Sequence, residues 1–484
     1  MRGATWWRAM AGAGAGFLLA GCAVGPDYRR PEVELPATHR GAGGEQLAAV
    51  PGELGELPWW ELFEDPVLEG YLREALENNW DVRIAAARVL EAAASLRGVQ
   101  SGWYPTVAAG GDWTTARTSR RGPAGLPDSA DAVREYGSAF VSMPGYELDL
   151  WGRLRRATEA ARARLLAVRE NQSVVRQTLV AEVASRYLTL GELDEELEIA
   201  LRTLEVRQSS LTLTLSREEG GVASLQDVHQ AEVLVAAARA VVSDIRRAIE
   251  QAEHALSFLL GRAPGPVARG SRTAALPLGR LAIPAGLPSE LLERRPDIRA
   301  AEQGLVGANA DVGQARAAYY PQVVLTGVYG QQSVALSTLF EGPARFWQFG
   351  PSVTVPVFTG GRLRSASRAA LARYEAALSE YQQTVQNAFR EVSDGLVACA
   401  RQREIREALE ARAEANRRSA ELARVRYEGG VTGYLEVLYS DQELFDAELA
   451  LARARLAEQL ALIGLYRALG GGWHLPEGTA DVRR

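Results

Sequence analysis

The side chains in this sequence best suited to covalent or metal chemistry are two thiols and four imidazoles: Cys22, Cys399, His39, His229, His254 and His474. Cys22 closes Leu19-Ala20-Gly21-Cys22, after an Arg-bearing start (Arg2, Arg8) and a short apolar stretch ending in Phe17, Leu18 and Leu19. That stretch is too short to span a bilayer and reads as a secretory h-region. The small residues before the thiol read as a bacterial lipobox, in which residues 1–21 are removed and Cys22 becomes an acylated N-terminus. The plainer alternative is a small residue at an ordinary cleavage site. Cys399 lies seven residues after Val392 on a heptad stripe, which marks a buried, inert thiol. The histidines are scattered, and HExxH, GxxxxGK[ST] and GxSxG are all missing. The run Gly12–Gly16 falls inside the signal peptide and cannot cradle a nucleotide in the mature chain. No catalytic residue, metal site or cofactor is expected, and with them no enzyme.

The elements that remain must therefore act through their architecture. A formal charge of −6 over 484 residues offers no basic surface for nucleic acid. Every basic residue is Arg, which reads as coding bias rather than as guanidinium chemistry at a site. After the signal peptide no run of about 18 apolar residues occurs, so any membrane crossing must use strands closed into a barrel.

The sequence repeats itself. Gly152-Arg153 recurs as Gly361-Arg362, REEGGV at Arg217 to Val222 as RYEGGV at Arg426 to Val431, and Leu260-Gly261 as Leu469-Gly470, all at an offset of 361 − 152 = 209. Upstream, Asp81-Val82-Arg83 pairs with Asp297-Ile298-Arg299 and Tyr104-Pro105 with Tyr320-Pro321, at 297 − 81 = 216. The difference of 216 − 209 = 7 residues falls between Pro105 and Gly152. Each copy, 66–261 and 287–470, reads as a helix, two strands, a long helix, a Gly-Gly reversal and a second long helix. Residues 262–286 link the copies, and 471–484 form a tail.

Pro105 and Pro321 end the leading helices because proline disfavours helical geometry in the residue before it. Period-two alternation follows in Val107, Ala109 and Trp113, in Val323, Leu325 and Tyr329, and in Val353, Val355 and Val357. A fourth strand, Ala139 to Leu150, is interrupted by Pro144, where its alternation changes phase. The joining loops, notably Thr118 to Asp131, are placed outside the cell. Heptads then dominate. Val228, Val235, Val242, Ile249 and Leu256 recur every seven residues, each followed three positions on by Ala231, Ala238, Ile245, Ala252 and Leu259. The second copy repeats the spacing from Leu371 through Tyr374, Leu378, Tyr381, Val385 and Ala388 to Val392, and from Leu435 through Leu438, Gln442, Phe445, Leu449 and Ala452 to Leu456. The helix from Arg153 to about Arg217 would reach roughly 100 Å. Four strands cannot close a barrel, so oligomerisation is required, with 12 strands from a trimer or 24 from a hexamer. The fold class is mainly α with β and an internal two-fold repeat.

Three stretches carry a resemblance: Gly21 to Tyr28 with Arg30-Pro31, Arg295 to Glu302 (RPDIRAAE), and Gly221 to Val228 (GVASLQDV). They resemble the TolC-like outer-membrane factors, in the NodT-type lipoprotein branch that serves tripartite efflux pumps. The resemblance covers nearly the whole mature chain. It implies a homotrimer with a 12-stranded transmembrane β-barrel, continued by an α-helical coiled-coil barrel in the periplasm. It also implies an equatorial wrap within 22–65, and Ala23 after the cysteine implies sorting to the outer membrane. The tips at Gly220, Gly221, Val222, Gly429, Gly430 and Val431 would dock on a periplasmic adaptor that bridges to an inner-membrane pump. Leu435 matches the family's apolar gate ring. One turn on, where relatives carry Asp before Ala-Gln-Arg, this chain has Tyr439-Ser440-Asp441-Gln442. The gate candidates are therefore Leu435, Tyr439 and Asp441, with an acidic ring shifted to Asp441 or Glu436, neither of which lies at the family position. Leu435 also opens a heptad seam, which would make it core instead.

The function implied is passive efflux of small molecules through an outer-membrane duct anchored by lipid. An exit duct for type I protein secretion is the rival within that class. A structural coiled-coil lipoprotein spacer is the rival outside it, and it leaves the matched strand pairs unexplained.

Overall fold

The structure is a computed structural model describing residues 23–33, 63, 65–119, 121, 129, 131–270 and 288–471. The signal segment, Cys22, His39, most of the Thr118 to Asp131 loop, nearly all of the tail with His474 and most of the linker lie outside the described residues. Two compact units emerge, one holding 1–32, 89–167 and 301–381, the other 33–88, 168–300 and 382–484. The chain is mainly helical, with one small antiparallel sheet.

The first unit contains the sheet. Helix α2 (Trp80–Gln100) runs into a single 3-10 turn (Ser101–Trp103) and stops at Tyr104-Pro105; α6 (Pro296–Ala317) stops likewise before Pro321. From these stops rise β1 (Ala108–Arg117), β2 (Val133–Leu148), β3 (Gln322–Ser333) and β4 (Arg345–Thr354), in the order β1-β2-β3-β4. The central pairing joins the two copies, with Val141 opposite Tyr329 and Phe140 opposite Gly330. The register slips between Met143 and Tyr146, where Pro144 can supply no ladder N–H and the chain bulges. The last strand differs from the expected one. β4 ends at Thr354, and Val355 and Val357 lie beyond it, because Pro356 removes the donor that would continue the ladder. The extra seven residues of the first copy sit in its longer β1–β2 hairpin.

The second unit is a helical assembly. It holds α1 (Pro66–Asn78), α4 (Leu225–Leu259), α5 (Pro288–Arg294), α8 (Tyr434–Ala468) and the greater parts of α3 (Arg153–Glu219) and α7 (Arg362–Glu428). Helices α3 and α7 are both 67 residues long, and α4 and α8 both 35, so the two hairpins match residue for residue. Asp65 caps α1, its carboxylate accepting from the Val67 and Leu68 N–H groups. Ser224 caps α4 in a reciprocal box with Asp227. The core gathers Leu68, Leu72, Val183, Leu190, Leu256, Leu260, Leu396 and Leu465, all at most 2% exposed.

The α4 heptad is buried as spaced, from Val228 to Leu259, with Ala252 half-buried at its edge. In α7 the stripe is buried from Tyr381 through Val385, Ala388 and Val392 to Leu396, whereas Leu371 is exposed. The α8 seam requires correction at its start. Tyr434 and Val437 are buried and Leu435 is 67% exposed, whereas Phe445 and Ala452 further along are buried as spaced. Helix α8 is apolar on more than one side, burying Phe445, Ala447, Leu451, Ala452 and Ala454 together, so periodicity alone could not select its inward stripe.

Candidate functional site

No group of three His, Cys, Asp or Glu side chains that could hold a metal occurs among the described residues. His229 pairs with Glu232 at 2.9 Å on the surface. Cys399 is half-buried against the core, and burial pushes its thiol up to about 11, which suppresses the reactive thiolate.

The sheet has two chemically distinct faces. Partner residues in an antiparallel ladder share a face, so one side carries Trp113, Val141, Leu325, Tyr329, Trp347, Phe349 and Val353. Trp347 is 67% exposed and Val353 62%, so this apolar side is largely uncovered among the described residues. The opposite side carries Asp112, Thr114, Ser138, Ser142, Gln332, Gln348 and Ser352, with Phe140 lying over Gly110 and Gly330. Among the described residues β1 pairs only with β2 and β4 only with β3, leaving two open edges. Each strand has 10 or more residues, enough to cross a hydrocarbon layer at the usual tilt.

The segment after Cys22 is bound to this same unit. The Val24 N–H donates to the Trp151 carbonyl at 3.0 Å, and Gly25 approaches Gly313 so closely that a Cβ would lie 2.5 Å from its Cα. Arg156, with a side chain only 5% exposed, reaches Asp27 at 2.7 Å. Arg30 grips Glu302 with two hydrogen bonds, of 2.6 and 2.7 Å, and the Tyr28 hydroxyl adds a third at 3.1 Å. Burial beside Glu302 raises the Tyr28 phenol far above its ordinary range. The sequence offered no sign of this clamp, whose partners lie more than a hundred residues away.

In the helical unit both reversals are built alike. Gly220 and Gly429 end the long helices, and Gly221 (φ +73°) and Gly430 (φ +71°) take the left-handed turn. The N–H groups of Val222 and Val431 then donate to Arg217 and Arg426 at 2.8 Å each. Val222 is 80% exposed and Val431 70%. The two tips are joined, since Arg217 lies 4.3 Å over the Tyr427 ring and donates to the carbonyls of Tyr427 and Glu428 at 3.2 Å.

Beyond the second tip, Leu435 and Tyr439 share one face of α8, both about two-thirds exposed. Asp441 does not join them. It turns inward, 3.2 Å from Arg424, and burial raises its pKa against the pull of Arg424 and Arg207. Glu436 faces Arg426 at 3.1 Å. Asp441 lines a cavity of about 820 Å³ between α3, α7 and α8 with Arg202, Arg207, Arg417 and Glu448. Arg207 is 3% exposed, donates to Gln442 at 2.9 Å, and has its charged form disfavoured by burial. Helix α3 is further tied to α8 by Glu196–Arg453 at 2.6 Å and Glu195–Arg455 at 2.9 Å. These cross-hairpin arginines look like ordinary surface charges in the sequence, since nothing in their local spacing reveals a partner 235 to 260 residues away.

The outer membrane efflux protein description matches residues 71–262 and 287–471, one match per copy. The chain is 36% identical over 458 residues to outer membrane protein OprJ of Pseudomonas aeruginosa, covering 94% of each. It is 34% identical over 468 residues to the probable efflux pump outer membrane protein TtgC of Pseudomonas putida, covering 96% of each. Among solved structures it matches the outer-membrane channel OprN with a TM-score of 0.84 and 32% identity, over 93% of this chain and all of the other.

Proposed function

The chain belongs to the outer membrane efflux protein family, and from that premise we infer that it is the outer-membrane channel of a tripartite efflux pump, a passive exit duct for small molecules. The observation that carries this reading is the sheet with one apolar face, one polar face and two unpaired edges. In lipid an open edge leaves backbone groups unsatisfied, so β1 of one chain must pair with β4 of the next. A homotrimer closes this as a 12-stranded barrel, four strands from each chain, with Trp347 and Val353 toward lipid and Asp112 and Gln348 toward water.

The matched hairpins then extend into the periplasm as a helical barrel. Their tips, Gly220 to Val222 and Gly429 to Val431, are the docking points for a periplasmic adaptor that joins the duct to an inner-membrane pump. Leu435 and Tyr439 project away from their own chain just past the second tip, where three copies would form a ring that closes the duct. Asp441, held by Arg424, steadies that ring from behind rather than lining it. Cys22 carries the acyl anchor, one residue before the clamped segment. The duct is tested by planar-bilayer conductance of the purified protein. A trimer-sized pore is expected, and a stable trimer that gives no conductance would overturn the reading.

A further inference from the structure

The end of α6 and the clamped N-terminal segment border a shallow cavity of about 580 Å³ that is open to its surroundings, lined by Val24, Gly25, Pro26, Arg316, Tyr319 and Tyr320. Tyr320 stacks on Trp151 at 4.8 Å, and the Trp151 indole donates to the Pro321 carbonyl at 2.8 Å, which fixes the aromatic wall. Tyr319 and Tyr320 are partly exposed, and the Arg316 guanidinium makes no ion pair among the described residues.

Three markers of a bilayer surface coincide here. The first is the aromatic group at the foot of β3, of the kind that settles at the boundary between headgroups and hydrocarbon. The second is Arg316, exposed one helical turn further from the strands, a cation of the kind that attracts anionic headgroups. The third is the anchor itself, because Cys22 precedes Val24 by only two residues in the sequence.

The repeat supplies an internal control. At the equivalent junction of the first copy, 316 − 216 = 100, the chain carries Gln100, with Trp103 and Tyr104 in place of the tyrosines. The aromatics recur there, and the cation of that last turn stands three residues earlier, at Arg97. Trp103 is occupied by a hydrogen bond to Thr158 at 3.0 Å. A charge at the position of Arg316 itself is therefore present only at the junction that the N-terminal segment covers.

We propose that this cavity seats the phosphodiester headgroup of a glycerophospholipid from the periplasmic leaflet, one per protomer. Arg316 supplies the counter-charge, and the two tyrosines hold the boundary between headgroup and acyl chains. The bound lipid would lie beside the protein's own acyl anchor and fix the depth of the barrel. This rests on the outer-membrane duct reading.

Native mass spectrometry of the purified full-length protein tests it, with phosphatidylglycerol, diacylglycerol or inorganic phosphate added stepwise. Wild type is expected to retain one phosphatidylglycerol per protomer at least fivefold more tightly than Arg316→Gln, with Gln100→Ala unchanged. Equal retention of diacylglycerol by wild type would overturn the proposal, as would equal affinity in Arg316→Gln. Displacement of the lipid by 10 mM inorganic phosphate would mark a free-phosphate site and overturn it too. The wild-type arms decide the matter even if the variant fails to assemble. Conductance recorded on the same preparation separates failure of this site, with the pore intact, from failure of the duct reading.

Discussion

The Asn79 side chain donates to the carbonyl of Leu259 at 2.9 Å, closing the last turn of α4 against the first turn of α2. In the second copy Arg295 Nη1 donates to the carbonyl of Ala468, also at 2.9 Å. The positions correspond, since 295 − 79 = 216 and 468 − 259 = 209, the two offsets of the repeat. One mechanical task is thus done by an amide in one copy and by a guanidinium in the other. Asn79 also caps α2, accepting from the Asp81 N–H at 2.8 Å. Arg295 cannot accept, and instead binds Asp297 at 2.6 Å and Glu391 at 2.7 Å.

Asn79→Ala removes the cap and leaves a buried carbonyl unpaired, a loss of about 2–4 kcal/mol. Arg295→Ala strands two partly buried carboxylates and costs more, about 3–5 kcal/mol. Thermal unfolding followed by the helical circular dichroism signal should rank wild type above Asn79→Ala and Asn79→Ala above Arg295→Ala. An Asn79→Ala protein as stable as wild type would remove the junction from the account.

Glu192 titrates in an unusual direction. Burial, and then the charge of Glu196 one turn along α3, raise its pKa well above the ordinary carboxylate range. A carboxyl group with a raised folded-state pKa contributes most while protonated. Stability is therefore lost as pH climbs from the unfolded glutamate value through the raised one. Glu192→Gln should flatten this loss. Between pH ~5 and ~9 the melting temperature of wild type should fall relative to that of the variant, and parallel profiles would show that the pair is not coupled to folding.

Much of this architecture is legible from the residues, and the reasons for the gaps are physical. Heptads announce α4 because one stripe alone is buried, from Val228 to Leu259. The same rule places Phe445 and Ala452 of α8 correctly but misplaces the start of its seam at Leu435, because that helix buries several sides at once. Pro144 foretells the bulge in β2, whereas Pro356 ends β4 inside what reads as continued alternation. The Gly-Gly turns are visible because only glycine takes their backbone angles without strain. Arg207, Asn79 and Arg295 are not visible, since their partners lie far along the chain and the two copies use different chemistry for the same contact.

Leu435 is the position where the proposed gate meets stability most simply. It is 67% exposed in its own chain, so Leu435→Ala should change monomer stability by no more than about 0.5 kcal/mol. In cells producing the channel without its pump partners, the substitution should increase entry of bulky antibiotics. Unchanged susceptibility alongside an intact trimer would leave Leu435 as a wall residue, with the closure elsewhere.

Trp347 and Gln348 are neighbours on β4 that must face different solvents if the barrel is correct. Trp347→Arg places a charge in lipid, at a cost of about 2–4 kcal/mol near the bilayer midplane and less toward either surface. Gln348→Arg places the same charge in the lumen, where water solvates it and stability is kept. The two variants should therefore separate sharply. Trp347→Arg should lower the yield of heat-resistant trimer, whereas Gln348→Arg should assemble normally and shift the reversal potential toward anions in a salt gradient. If both assemble equally and neither changes selectivity, the two faces are not lipid and lumen, and the assignment of the sheet to a membrane barrel fails with them.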